Sequence, residues 1–185
     1  MLPEYATGST PPTIATERLI LRAHRLSDFG DSLAMWSDPI VTRYIGGEPS
    51  TEQQVWSRLL NYVGHWALMG FGYWVVEEKA TQRFIGEVGF ANFKRDIDPE
   101  MQEVPELGWA FASHVHGKGF ATESVRAIVK WSDERFVHGR TVCLIDPENV
   151  ASIRVAEKSG YNEFKRAQYN DRPVLFFQRS AQSRK

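Results

Sequence analysis

Apolar and polar residues recur along the chain with the period of strands in some stretches and of helices in others. From Arg18 to Arg22 charged and aliphatic residues alternate, with Leu19 and Leu21 on one face, as in a strand with one buried side. Further strands are indicated by aromatic and β-branched runs bounded by polar turns. They are predicted over 71–76, 84–93, 107–111 and 141–145, and as a pair within 161–177 that turns at Asn170 and Asp171.

Four stretches have apolar residues at helical spacing. The first is predicted to begin at Ser27 or Asp28 and to end before Pro39. The second is predicted to begin with a capping box of Ser50 and Gln53, and its apolar positions are Val55, Leu59, Tyr62, Val63 and Trp66. The others are predicted over 120–136 and 149–158. The element order β, α, α, β, β, β, α, β, α, β, β favours a mixed sheet covered by helices.

The chain of 185 residues is of the size of one domain. We predict a flexible leader over 1–13, a single domain over 14–180 and a short tail over 181–185. Lys and Arg number 22 against 23 Asp and Glu, which disfavours a nucleic-acid partner. The only cysteine, Cys143, lies in an apolar strand and is expected to be a core thiol. With no apolar run long enough to span a bilayer, a cytoplasmic protein without membrane contact is expected.

The start of the third predicted helix lacks a capping side chain. His116, Gly117, Lys118 and Gly119 precede Phe120 without a Ser, Thr, Asp or Asn. The unpaired N–H groups of a helix start attract anions, and glycines let the backbone approach closely, so a phosphate is a natural cap. On these residues alone, the interpretation of the glycines as ordinary turn residues is favoured over phosphate binding. The spacing matches neither a P-loop nor a dinucleotide-binding fingerprint.

Several separated motifs resemble the GNAT acetyltransferases, in particular the branch of the ribosomal-protein N-terminal (RimJ/RimL-like) enzymes. They are Glu106-Leu107-Gly108-Trp109, the run 114–123 around the two glycines, Asn149-Val150-Ala151-Ser152, and Glu157-Lys158-Ser159-Gly160-Tyr161. The resemblance begins at Thr16-Glu17-Arg18-Leu19 and extends to the last strand. It implies the α/β GNAT fold: a single mixed, mostly antiparallel sheet of about six or seven strands, with helices on both faces and a splayed central cleft.

The resemblance also implies acetyl-coenzyme A as cosubstrate, with no metal. Its pyrophosphate would lie on the N–H groups that follow His116, and its pantetheine arm would pair with the backbone of the strand that ends at Phe111. The residues expected to contact it are Ala110, Phe111, His116, Gly117, Lys118, Gly119, Phe120, Ala121, Thr122, Asn149 and Ser152. The pair His114 and His116 has no further ligand at suitable spacing for a metal.

Two catalytic residues are expected. The Ser152 hydroxyl would serve the leaving sulfur, and Glu106 is the first candidate base, with Glu87 as the second. The alternatives are that Ser152 is only a packing residue, Asn149 only a helix cap, and the glutamates solvated strand residues. The chain departs from the family in having His114 where Gln or Arg is usual, and Ala156 where many members have a tyrosine acid.

The implied reaction is direct attack of a primary amine on the thioester in a ternary complex, and the acceptor is expected to be a protein N-terminal amine. A small-molecule amine is the alternative acceptor, and a non-catalytic acetyl-coenzyme A sensor is the alternative function. The glycine-containing loop 45–49 is expected to border the acceptor. Trp36, Trp56, Trp66 and Trp74 are expected mainly in the core or lining the cleft. The protein is expected to be a monomer or a homodimer.

Overall fold

The computed structural model describes residues 10–95, 97, 104–136 and 139–181. The strands are β1 (Ile14–Ala15), β2 (Leu19–Arg22), β3 (Tyr73–Glu78), β4 (Arg83–Ala91), β5 (Glu106–Phe111), β6 (Arg140–Ile145), β7 (Asn162–Tyr169) and β8 (Arg172–Ser180). The α-helices are α1 (Phe29–Trp36), α2 (Pro39–Thr42), α3 (Glu52–Met69), α4 (Phe120–Asp133) and α5 (Val150–Lys158). Residues 1–9 of the expected leader and 182–185 of the expected tail lie outside the described residues.

The strands of the described residues form one sheet in the order β1-β2-β3-β4-β5-β6-β8-β7. Neighbouring strands are antiparallel except β5 and β6, which run parallel. This confirms the mixed, mostly antiparallel sheet, but the strands number eight rather than six or seven. The additional strand β1 pairs only Ile14 and Ala15 with β2, and two residues are too few to show an alternating pattern.

The two faces of the sheet carry different layers of helix. Val75, Glu87 and Ala110 are cross-strand neighbours on one face, where α1 packs against β4. Trp74 points to the opposite face and meets the Trp131 ring of α4 edge-on at 5.0 Å between centroids. Trp36, Trp66 and Trp74 are buried as expected, whereas the Trp56 side chain is 40% exposed.

Helix α3 begins one residue later than predicted. Thr51 is its N-cap and accepts a hydrogen bond from the Gln54 N–H, while the Gln54 side chain accepts one from the Thr51 N–H. The predicted capping box of Ser50 and Gln53 is therefore wrong. Of the apolar positions at helical spacing, Val55, Leu59, Tyr62 and Trp66 are buried, whereas the Val63 side chain is 50% exposed.

Helix α1 begins at the expected place, but neither expected residue caps it with its side chain. The carboxylate of Asp28 instead accepts two hydrogen bonds from the Arg22 guanidinium, at 2.8 and 2.9 Å. The chain does leave the helix before Pro39, and Asp38 then caps the short helix α2. Within the described residues, no helix is both long and apolar enough to cross a membrane.

Candidate active site

A cleft opens where the sheet divides between β5 and β6. Only Glu106 and Val142 are paired along these strands, next to a hydrogen bond from the Val142 N–H to the Pro105 carbonyl. Beyond that point the strands separate, as the family resemblance implied. The cleft has a volume of about 450 Å³. Its polar lining includes Arg58, Tyr62, Tyr73, Arg95, Glu106, Asp146, Asn149, Ser152, Tyr169 and Arg172.

The turn before α4 has the geometry that the two glycines require. Gly117 and Gly119 have φ angles of +77° and +82°, a left-handed backbone conformation that residues with side chains rarely adopt. Gly119 is the N-cap of α4 and makes no side-chain capping bond. A Cβ at Gly117 would have no atom within 4 Å, so the turn is open on that side. An anion could therefore reach the first N–H groups of α4 without displacing a protein group.

Arg18 fastens this turn to the edge of the sheet. Its Nη1 donates to the Lys118 carbonyl at 3.0 Å, and its guanidinium lies 4.5 Å from the centre of the Phe120 ring. Its Nε donates to Glu123 at 2.7 Å, and the same carboxylate accepts a hydrogen bond from the Thr16 hydroxyl at 2.6 Å. These contacts explain what Thr16 and Arg18 do in the motif 16–19, a role that the sequence did not reveal.

The open edge of β5 presents the backbone of alternate residues. The Ala112 N–H donates to the Ile85 carbonyl, so by alternation the N–H and C=O of Ala110 also point to β4. The expected backbone contact of Ala110 with the donor conflicts with this geometry. The backbone N–H and C=O groups of Trp109 and Phe111 point instead to the open side of β5. The Phe111 carbonyl lies 2.8 Å from Nε2 of His116. His116 thus bridges the turn and the strand, while His114 is exposed.

The start of α5 brings Asn149 and Ser152 to the cleft. The Asn149 side chain caps the helix by accepting a hydrogen bond from the Ser152 N–H at 3.1 Å. The Ser152 hydroxyl is partly exposed and has no hydrogen-bond partner among the residues that the structure describes. One helical turn further along, Ala156 is completely buried and carries no hydroxyl that could act as an acid.

The two candidate bases lie in different surroundings. Glu106 lines the cleft, but both of its carboxylate oxygens accept hydrogen bonds from Arg95, at 2.8 and 2.9 Å. Glu87 is 1% exposed and accepts hydrogen bonds from the Ser32 hydroxyl and the Trp36 indole. Burial by itself would raise the pKa of Glu87, but the adjacent His24 ring and the two hydrogen bonds outweigh it and hold the pKa below its usual range. Glu87 is thus a buried carboxylate of the interior rather than a solvated one.

Cys143 is buried in β6, as expected, and burial raises the pKa of its thiol well above the usual value. Several residues that line the cleft were not predicted to lie there: Arg58, Tyr62, Tyr73, Arg95 and Tyr169. They come from α3, β3, β7 and the segment after β4. No local pattern marks them, because only the tertiary fold brings them together.

A family model described as an acetyltransferase (GNAT) domain matches residues 18–162. The chain therefore belongs to the GNAT family and is an acetyltransferase of that family. The uncharacterized protein YkkB of Bacillus subtilis (strain 168) is 31% identical over 172 residues, which cover 91% of this chain and 95% of YkkB.

Solved structures show the same fold. A Bordetella pertussis protein assigned to the GnaT acetyltransferase family has a TM-score of 0.81 and 28% identity, covering 92% of this chain and 100% of its own. AAC(6')-Ib, solved in complex with paromomycin and acetyl-CoA, has a TM-score of 0.71 and 18% identity, covering 89% of this chain and 94% of its own. At that identity the second likeness concerns the fold alone.

Proposed function

We propose that this GNAT enzyme transfers an acetyl group from acetyl-CoA to a primary amine by direct attack in a ternary complex. The observation that carries the proposal is the continuity of the uncapped glycine turn, the open edge of β5 and the cleft that contains Ser152. A long donor with a diphosphate at one end and a thioester at the other fits such an arrangement. In AAC(6')-Ib, which has a similar fold, acetyl-CoA is bound in the solved structure.

The backbone from Gly117 to Thr122 would hold the diphosphate, with Gly117 leaving one side of the turn open to it. The N–H of Lys118 contributes least, because it already donates to the Val115 carbonyl. The backbone of Trp109 and the N–H of Phe111 would pair with the amides of the donor's arm as an added strand does, while the Phe111 carbonyl already contacts His116. The donor itself supplies the activated carbonyl and a thiol leaving group.

Ser152 would donate a hydrogen bond to the leaving sulfur. Its hydroxyl is free to turn toward the cleft because its helix is already capped through its backbone by Asn149. Burial raises the pKa values of Tyr62 and Tyr73 in the same cleft, so both remain neutral hydroxyls.

Glu106 would act through water rather than by direct contact with the amine. The two hydrogen bonds from Arg95 occupy both of the oxygens that would otherwise accept a proton directly from the amine. An α-amino group with a pKa of about 8 is already neutral in roughly a tenth of molecules at pH 7, so it needs no strong base, and its proton would pass through a water held by Glu106 to the solvent. For this reason, and from the resemblance to the ribosomal-protein branch, we take a peptide N-terminus as the first acceptor class and a small amine as the second.

The test is release of coenzyme A thiol when the protein is mixed with acetyl-CoA and an amine panel. The background is low because the only cysteine of the chain is buried. Peptides with free and with blocked N-termini form the matched pair, and small amines form the second arm. Turnover that requires a free amine supports the proposal. Binding of acetyl-CoA in calorimetry with no turnover on any amine would instead identify a sensor.

A further inference from the structure

The charges in the cleft do not balance. Its lining holds three arginines and two carboxylates. Arg95 pairs with Glu106, and Arg172 donates to Asp146 at 3.0 Å. Arg58 forms no ion pair with any carboxylate in the described part of the chain, and its Nε is buried without a hydrogen-bond partner. One guanidinium therefore faces the cleft without a counter-charge.

Arg58 is held in place by a rigid support. Its guanidinium lies 3.7 Å from the centre of the Trp36 ring, a cation–π arrangement. The Trp36 indole N–H in turn donates to Glu87 at 2.9 Å, and the Ser32 hydroxyl donates to the same carboxylate at 2.7 Å. The buried glutamate thus fixes the ring on which the arginine rests. A cation placed in this way is preorganised for a ligand.

The chemistry of this cation selects among acceptors. A partly desolvated guanidinium presents a planar set of donors that matches a carboxylate, and such charge-assisted bonds are the strongest that side chains form. A polyamine or an aminoglycoside would bring further positive charge to the same place. Tyr62 and Tyr73 stack at 4.3 Å beside Arg58 and, as neutral hydroxyls, add no negative charge.

We infer that the acceptor carries a carboxylate as well as its amine, and that Arg58 binds this carboxylate. The inference rests on the proposed acetyl transfer. Two sources offer this chemistry: a free amino acid, and a peptide whose residue after the N-terminus is acidic. In both, a carboxylate lies a few bonds from the reacting amine. Polycationic amines are then poor acceptors.

The test is calorimetry on the protein loaded with coenzyme A, with matched acid and amide probes. One arm compares L-phenylalanine with L-phenylalaninamide. The other compares two tripeptide amides that differ only in glutamate or glutamine at the second position. We expect the acid member of at least one pair to bind 10-fold or more tightly than its neutral partner. A preference in the first arm points to a small molecule, and one in the second to a protein terminus.

Three variants connect the preference to Arg58. Arg58→Met should abolish it, Arg58→Lys should keep part of it, and Arg83→Met, at an exposed arginine outside the cleft, should leave it unchanged. In turnover, Arg58→Met should raise KM for the acid acceptor 10- to 100-fold with little change in kcat. If Arg58→Met does not fold, weakening of the wild-type acid preference by salt, together with Arg58→Lys, gives the same answer.

The inference is overturned if neither acid probe binds more tightly than its neutral partner, if spermidine binds better than both, or if Arg58→Met keeps the preference. The proposed function is judged separately, by binding of acetyl-CoA and by thiol release on the full amine panel. A protein that acetylates only cationic amines would keep the function and lose the inference. An acid preference without turnover on any amine would show a carboxylate site at Arg58 but overturn the proposed acetyl transfer.

Discussion

The hydroxyl of Tyr73 occupies the space where a Cβ on Gly108 would stand. Tyr73 lies in β3 and Gly108 in β5, on opposite sides of β4, and both are paired with Gly89 of β4. Gly108 lines the cleft, so the absence of its side chain is what lets the Tyr73 ring lie flat across the sheet. This contact, the glycine turn, the Ser152 hydroxyl and the buried Glu87 each lead to a measurable expectation.

Gly108→Ala should destabilise the fold by about 1–3 kcal/mol, because the added methyl group must displace Tyr73 from a packed position. Urea unfolding measures the change. Tyr73→Phe removes the atom that would clash, so the double variant should lose less than the two single variants combined. Strict additivity of the two effects would show that the contact is not the cause.

Gly119→Asp should weaken acetyl-CoA binding at least 10-fold relative to Gly119→Asn. Both side chains tolerate the left-handed backbone of this position, and the Cβ of each would lie 3.5 Å from Nη2 of Arg18. They differ in charge, so only the aspartate would repel a diphosphate bound at the turn. Calorimetry with acetyl-CoA gives the two affinities, and raised salt should narrow the difference. Equal affinities would place the diphosphate elsewhere.

Ser152→Ala should lower kcat about 10- to 1,000-fold while the affinity for acetyl-CoA stays close to that of the wild type. The helix cap survives the change because Asn149 binds the backbone N–H of residue 152 rather than its side chain. Steady-state kinetics and calorimetry separate the two quantities. Ser27→Ala, at an exposed serine far along the chain, is the control. Unchanged turnover would make Ser152 a structural residue.

Glu87→Gln should reduce the free energy of unfolding by about 2–3 kcal/mol at neutral pH, because it removes a buried charge that accepts two hydrogen bonds. The pKa of Glu87 is lower in the folded than in the unfolded state, so its contribution is complete above the unfolded value, about 4.3, and is lost as the pH falls through the folded value. The difference between wild type and variant should shrink in that acidic window. Glu157→Gln, at an exposed glutamate of α5, should show no such difference.

The parts of this protein that could be predicted from sequence are those whose geometry is local. The turn at Gly117 and Gly119 and the N-cap at Asn149 each depend on a few consecutive residues, and both form where expected. The capping box of α3 was misplaced by one residue because Ser50 and Thr51 both have a glutamine three residues later. The sequence does not distinguish such neighbours, whereas the packing of the helix does.

The surroundings of the carboxylates could not be predicted. Arg95 lies 11 residues before Glu106 and donates to its carboxylate. The two residues meet because the end of β4, which precedes Arg95, pairs with the start of β5 at Ala91 and Glu106. Arg58 meets Trp36 across 22 residues of sequence through the packing of α1 on α3. The surroundings of Glu106 and Arg58 therefore depend on tertiary contacts, whereas the glycine turn before α4 depends on a local motif.

The single pair that joins β5 to β6 leaves the two halves of the sheet with little backbone in common along that seam. A molecule that lies in the seam and bonds to both sides supplies the missing cross-links, so occupancy and cohesion of the whole domain are thermodynamically linked. At a donor concentration 100 times its Kd, the gain is about 2.7 kcal/mol. The melting temperature of this enzyme should therefore rise with the concentration of any ligand that binds in the seam.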